Sequence, residues 1–213
     1  MRYPLVATDM DGTLLSSNLN ISDYTKSVID RYRKKGGTFV VSTGRMYSSF
    51  YNTAARLGIA EGPVIAFQGA YIKDMSDGSL LYHKTLPIET SVKVLSELEK
   101  ENIALQIYFD DKLFVKERTK ETQMYETACE INAYELKQTL SDYVAKNNIE
   151  LTKILAITDE EKVKQLNRKY PPLYSGEVEF HISRPCFFEV VAKGSDKGSA
   201  IEFLCRKMGL TAD

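Results

Sequence analysis

The chain is predicted to fold as α/β, with a parallel sheet built from its first third, then a long α+β insert and a last helix. Three observations predict this. Short apolar, β-branched runs at Pro4 to Thr8, Thr38 to Ser42 and Pro63 to Phe67 alternate with stretches of helical spacing. The texture changes beyond about Lys84, where paired strand-like runs mix with helices. Two acids one residue apart, Asp9 and Asp11, stand at the end of the first apolar run, where open α/β sheets place their ligands.

Each element has its own signal. Ile21 to Lys35 places Val28, Ile29 and Tyr32 on one helical face and stops at Gly36-Gly37. Met46 to Leu57 reads as a helix ended by Gly58, and the strand, helix, strand order calls for right-handed crossovers. Tyr71 to Tyr82 is a hairpin about Asp77-Gly78. In the insert, Ile88 to Asn102 turns Val92, Leu95 and Leu98 inward, and Ala104 to Phe109 pairs with Leu113 to Val115 across Asp110-Asp111-Lys112. Helices are expected near Glu121 to Glu130, Lys137 to Lys146 and Glu160 to Lys169. Strands are expected at Lys153 to Ile157, Val178 to Ile182 and Phe187 to Val191. A last helix follows Lys193-Gly194-Ser195-Asp196-Lys197-Gly198, with Ile201, Leu204 and Cys205 spaced for burial.

The 213 residues suffice for a real core, or for two modest domains. Lys plus Arg (28) nearly balances Asp plus Glu (29), for a net charge of −1, which gives no electrostatic case for nucleic acid or a membrane surface. Cys129, Cys186 and Cys205 lack zinc or redox spacing and read as reduced thiols of a cytoplasmic protein. Asp9 and Asp11 interrupt the first apolar run, which argues against a signal peptide, and no stretch reaches the roughly 18 apolar residues of a membrane helix.

Burying acids costs free energy unless something pairs with them, so Asp9 and Asp11 point to a metal or an anionic substrate. A carboxylate at a strand end can attack as a nucleophile, while a second one, swung aside by the turn at Gly12, handles protons. A calcium loop is excluded on spacing, since the twelfth position from Asp9 is Asn20 where Glu is needed. Ser42-Thr43-Gly44-Arg45, at the end of the second run, offers a hydroxyl and backbone N–H groups to a phosphate. Its plainer reading is a helix N-cap. Lys197 taken alone reads as a solvated lysine.

The order Asp9-Met10-Asp11-Gly12-Thr13, Thr43-Gly44-Arg45, Gln68-Gly69-Ala70, long insert, Lys193 to Gly198 resembles the Cof-type phosphatases of the haloacid dehalogenase (HAD) superfamily along the whole chain. The resemblance implies a Rossmann-like core over residues 1–83 and 186–213, and a C2-type cap over 84–185. It implies that Asp9 is the nucleophile and Asp11 the general acid and base. Thr43, Gly44 and Lys197 would hold the transferring phosphoryl group, with Arg45 in the same motif. It further implies Mg²⁺, held by the Asp9 side chain, the Asp11 backbone carbonyl and an acid from a fourth motif. The substrate would be a small phosphorylated metabolite.

Two departures stand out. Gln68 replaces the usual Asn of the Asn-Gly-Ala turn, adding a methylene. The chain stops at Asp213, where the strand carrying the fourth motif is due, and Asp196 does not replace that motif's Gly-Asp pair. Without that strand Pro4 to Thr8 becomes an apolar sheet edge, so a truncated product or a recruited partner strand is expected. The leading expectation is therefore a phosphatase working through an aspartyl phosphate. The rivals are a phosphomutase and, for the chain as it stands, an inactive phosphate-binding or interaction module.

Overall fold

The computed structural model describes residues 2–16, 18, 20–59, 61–174 and 176–211. The chain forms two units, Met1–His83 with Asp196–Asp213, and Lys84–Ser195. The first opens with β1 (Leu5–Asp9), a π-type turn (Met10–Leu14), α1 (Asp23–Lys34), β2 (Thr38–Ser42), α2 (Tyr47–Leu57) and β3 (Pro63–Ala66). A 3-10 turn (Phe67–Gly69), β4 (Tyr71–Asp74) and β5 (Leu80–His83) follow. The second contains α3 (Ile88–Leu98), β6 (Ala104–Phe109), β7 (Lys112–Val115), α4 (Lys120–Cys129), β8 (Ala133–Glu135) and α5 (Leu140–Asn147). It continues with β9 (Lys153–Ile157), α6 (Glu160–Lys169), α7 (Pro171–Tyr174), β10 (Val178–Arg184) and β11 (Phe187–Ala192). Helix α8 (Lys197–Lys207) returns to the first unit.

The first sheet runs β1-β2-β3-β4-β5, parallel for its first two pairings and antiparallel for the rest. Its core joins Val40, Ile65 and Ile72 of the strands to Ala200 and Leu204 of α8, with Leu5 and Ala7 packed alongside. Strand β1 ends the order, with β2 as its ladder partner among the described residues, as the sequence predicts. Helix α1 differs in one detail. Ile29 is buried but Val28 is exposed, because one position is 100° of helical turn and only the Ile faces the sheet.

The second sheet runs β10-β11-β9-β6-β7-β8 and is antiparallel except for β7 with β8. Asp110 and Asp111, with φ of 49° and 51°, close the β6–β7 hairpin in the left-handed geometry a two-residue turn needs. Ile107, Ile154, Ala156, Phe188 and Val190 pack under Val94, Leu95 and Leu98 of α3 and Val144 of α5. Alternation along the strands sends Gln106, Tyr108, Lys153 and Glu189 to the opposite face. There Lys153 and Glu189 form a buried ion pair at 3.1 Å.

The second boundary corrects the sequence reading. The chain returns to the first unit at Asp196 rather than at 186, because β11 pairs with both β10 and β9 and cannot leave their sheet.

A charge cluster ties α6 to the turn after α3. Glu101 accepts from Lys162 Nζ (2.8 Å), Lys169 Nζ (2.6 Å) and Tyr170 Oη (2.9 Å). These donors, Lys162 first, pull its carboxyl from the ordinary 4.5 to about 2. A depressed carboxyl stabilises the fold fully above its unfolded value, and that contribution is lost as pH falls through the folded value. Between about pH 4.5 and 2 the wild type should therefore lose stability that a Glu101→Gln variant lacks at every pH. At neutral pH the substitution should cost about 1.5–3 kcal/mol, the worth of charge-assisted hydrogen bonds. Urea denaturation across this range checks it, and parallel pH profiles for the two proteins would refute it.

Candidate active site

Residues from three loops and one helix start converge where the parallel strands of the first unit end. Strand β1 pairs with β2 in register from Leu5↔Thr38 to Asp9↔Ser42, which sets Asp9 beside the end of β2. Past Asp9 the chain leaves extended geometry: Asp11 has φ −78° and ψ 121°, and Gly12 takes φ 76°. Asp9 Oδ1 accepts from Lys197 Nζ at 2.7 Å. Asp11 accepts from Arg45 with both oxygens, Oδ1 from Nη2 at 2.6 Å and Oδ2 from Nε at 2.9 Å. The acids are less buried than the apolar run before them suggests, with side chains 42% (Asp9) and 35% (Asp11) exposed. Each is met by a cation.

Among the four residues Ser42-Thr43-Gly44-Arg45 none caps a helix, since the N-cap of α2 is Met46. The segment is instead clasped by the loop after β3. Thr43 N donates to Ile65 O (2.8 Å), Gln68 N to Thr43 O (3.2 Å) and Phe67 N to Arg45 O (2.9 Å). Thr43 is buried, and its Oγ1 accepts from Arg45 N at 3.2 Å.

The Gln68-Gly69-Ala70 turn packs against both neighbouring loops, a role that sequence reasoning missed. A Cβ on Gly44 would collide with the Gln68 side-chain amide, and one on Gly69 with the Asp196 backbone. Phe67 and Gln68 both sit at positive φ (50° and 58°) and Gly69 at 112°. Asp196 is the N-cap of α8: Oδ1 accepts from Ser199 N (2.9 Å) and Oδ2 from Ser199 Oγ (2.5 Å). It fixes the first turn of α8, and with it Lys197. The spacing Asp196 to Ser199 is the sequence signal for that cap.

Among the described residues no three His, Cys, Asp or Glu side chains gather as a metal cluster. The Asp9 carboxylate at the strand end is nevertheless a hard oxygen donor, and the family resemblance implies the Asp11 backbone carbonyl beside it. That set fits Mg²⁺, which is commonly held by one or two protein oxygens with water and phosphate completing the shell.

The first unit is thus an α/β fold whose parallel strand ends gather two acids and two basic residues. The haloacid dehalogenase-like hydrolase family matches residues 6–213, and the chain belongs to that family. The chain is similar to the HMP-PP phosphatase of Yersinia pseudotuberculosis, 27% identical over 209 residues that cover 98% of this chain and 74% of that protein. A crystal structure from Thermotoga maritima superposes with a TM-score of 0.84 at 28% identity, covering 97% of this chain and 76% of that one. A haloacid dehalogenase-like hydrolase from Bacteroides thetaiotaomicron shares the fold with a TM-score of 0.85 at 23% identity, over 98% and 78% of the two chains.

The two glycines of the site should respond differently to alanine. Gly69→Ala meets backbone and a left-handed φ, and should cost about 1–3 kcal/mol for the strain before the collision is counted. Gly44→Ala meets only the end of a flexible side chain and should cost less, with further relief when combined with Gln68→Ala. Denaturation midpoints of the three variants test this, and equal losses for the two glycines would contradict the packing described.

Proposed function

We propose that the protein is a magnesium-dependent phosphatase of small phosphorylated metabolites such as sugar phosphates, acting through an aspartyl phosphate on Asp9. One observation carries the reading: Lys197 Nζ, 188 residues away in the chain, lies 2.7 Å from Asp9 Oδ1, on a strand end that also holds the Asp11–Arg45 pair. A carboxylate beside an ammonium and a guanidinium suits attack on a phosphoryl group, because the cations offset the charge that nucleophile and substrate bring together.

In this reading a carboxylate oxygen of Asp9 forms a bond to phosphorus while the bond to the leaving oxygen breaks, and Asp11 protonates that oxygen. Asp11 then takes a proton from water, which attacks the same phosphorus. The phosphorus–Asp9 bond breaks, and inorganic phosphate and free Asp9 result. The Thr43 hydroxyl and Gly44 N–H would orient the phosphoryl oxygens, with Arg45 beside them, and Lys197 would neutralise charge on them. Mg²⁺ held by the Asp9 carboxylate and the Asp11 carbonyl would add Lewis-acid stabilisation of the phosphoryl group.

The name of the Yersinia relatives, HMP-PP phosphatase, supports a phosphatase reading. Lys84–Ser195, inserted as a single segment between β5 and α8, suits a substrate-selecting cap. None of the three cysteines forms a disulfide, and among the described residues no helix is long and apolar enough to cross a membrane. Both features suit a cytoplasmic enzyme.

Asp9→Asn should abolish release of inorganic phosphate from p-nitrophenyl phosphate in Mg²⁺ buffer while circular dichroism stays unchanged, since the amide is nearly isosteric but no nucleophile. Wild-type turnover in that variant would refute the assignment. A wild-type chain that moves phosphate between substrate positions without releasing it would be a mutase. One that shows neither activity would be a binding module.

A further inference from the structure

Asp11 and Arg45 are matched too fully to be a resting acid beside a spare cation. The guanidinium fork bonds both carboxylate oxygens, at 2.6 and 2.9 Å, so the orientation of Asp11 is set by Arg45 rather than by a leaving group. Lys197 is likewise engaged with Asp9. The four groups sum to zero formal charge, and a phosphoryl dianion entering them meets cations that already have partners. A guanidinium binds phosphate with the same planar, two-bond geometry it uses for a carboxylate. We propose that the substrate's phosphoryl group displaces Asp11 from Arg45. One guanidinium holds the acid in reserve before substrate arrives and grips phosphoryl oxygens afterwards, and the released Asp11 side chain turns to the leaving oxygen. This rests on the phosphatase reading above and adds to it the step that makes the acid available.

Which partner moves follows from the anchoring. The Arg45 backbone is pinned on both sides, its N–H to Thr43 Oγ1 (3.2 Å) and its carbonyl to Phe67 N (2.9 Å). Its side chain is 15% exposed against 35% for Asp11. Asp11 precedes Gly12, whose φ of 76° already departs from the strand, so the acid is the more exposed partner of the pair. The exchange makes phosphate binding and placement of the acid a single event. A molecule without a phosphoryl group leaves Asp11 locked.

The test is a double-mutant cycle on the affinity for inorganic phosphate, measured by calorimetry at fixed ionic strength with and without Mg²⁺. The set is wild type, Asp11→Asn, Arg45→Gln and the double variant, each checked for folding by circular dichroism. Asn cannot hold the fork as a carboxylate does, so Asp11→Asn should tighten phosphate binding about tenfold, equivalent to about 1.4 kcal/mol of coupling. Arg45→Gln should weaken it, and in that background Asp11→Asn should change little. Arg45→Lys, which keeps the charge and loses the fork, should fall between wild type and Arg45→Gln and guards against misfolding of the Gln variant. Equal tightening by Asp11→Asn in both backgrounds would mean simple removal of a negative charge and would overturn the exchange. So would no tightening at all. Failure of the wild type to bind phosphate would sink the phosphatase reading with it, whereas binding without coupling sinks the exchange alone.

Discussion

The constraint on which the rest of the site depends is the parallel register of β1 on β2. Parallel strands bring their C-terminal ends to one edge of a sheet, so the loops after β1, β2 and β3 open side by side. A slip of one residue would turn Asp9 to the other face. The core of Val40, Ile65, Ile72, Ala200 and Leu204 holds α8 against the same strands. Asp196 caps that helix and abuts the turn at Gly69, so Lys197 has little freedom over where it starts. Apolar packing on the sheet thus fixes an ion pair at its edge.

The ion pairs at the strand ends differ in exposure from the pair in the sheet of the second unit. Lys153 and Glu189 are 1% and 5% exposed in the sheet of the second unit. Losing either partner there strands a charge in a medium that cannot solvate it, so this pair is a fixed part of the architecture. Asp9–Lys197 and Asp11–Arg45 keep a third or more of each carboxylate in contact with solvent. Pairs at that exposure exchange partners more readily than a buried one, and the two-bond fork makes Asp11–Arg45 the firmer of the two. In the proposed exchange these are the groups that trade partners when a phosphoryl group arrives.

Much of this was legible in the sequence because its signals are local. Apolar runs marked the strands, Asp77-Gly78 and Asp110-Asp111 marked hairpins, and the two acids at a strand end marked the site. What was not legible depends on contacts between distant residues. The partner of Arg45 lies 34 residues away and no spacing rule connects them. Strand β8, Ala133–Glu135, has no apolar run, and is a strand only because β7 pairs with it. Lys153 starts a strand, yet is buried, its ammonium paired with Glu189 two register positions away on the neighbouring strand. The true second boundary follows from ladder pairing of β11, and pairing is not written in composition.

The turn after β3 shows how the site holds backbone strain. Two successive non-glycine residues at positive φ, Phe67 and Gln68, are each unfavourable on their own. Both persist because their N–H groups are bonded, Phe67 to Arg45 O and Gln68 to Thr43 O, and because Ala70 N closes the turn on Phe67 O. The same bonds bind the Thr43-Gly44-Arg45 loop, so strain in one segment and order in the other are a single arrangement. Gln68 completes it: its side chain spans the turn to lie where a Gly44 side chain would be. A shorter Asn would draw its amide back by one methylene and open space over Gly44. In the phosphatase reading the glutamine thus shapes the floor on which a phosphoryl group would rest, and an alanine at position 44 would have to push the flexible end of Gln68 aside.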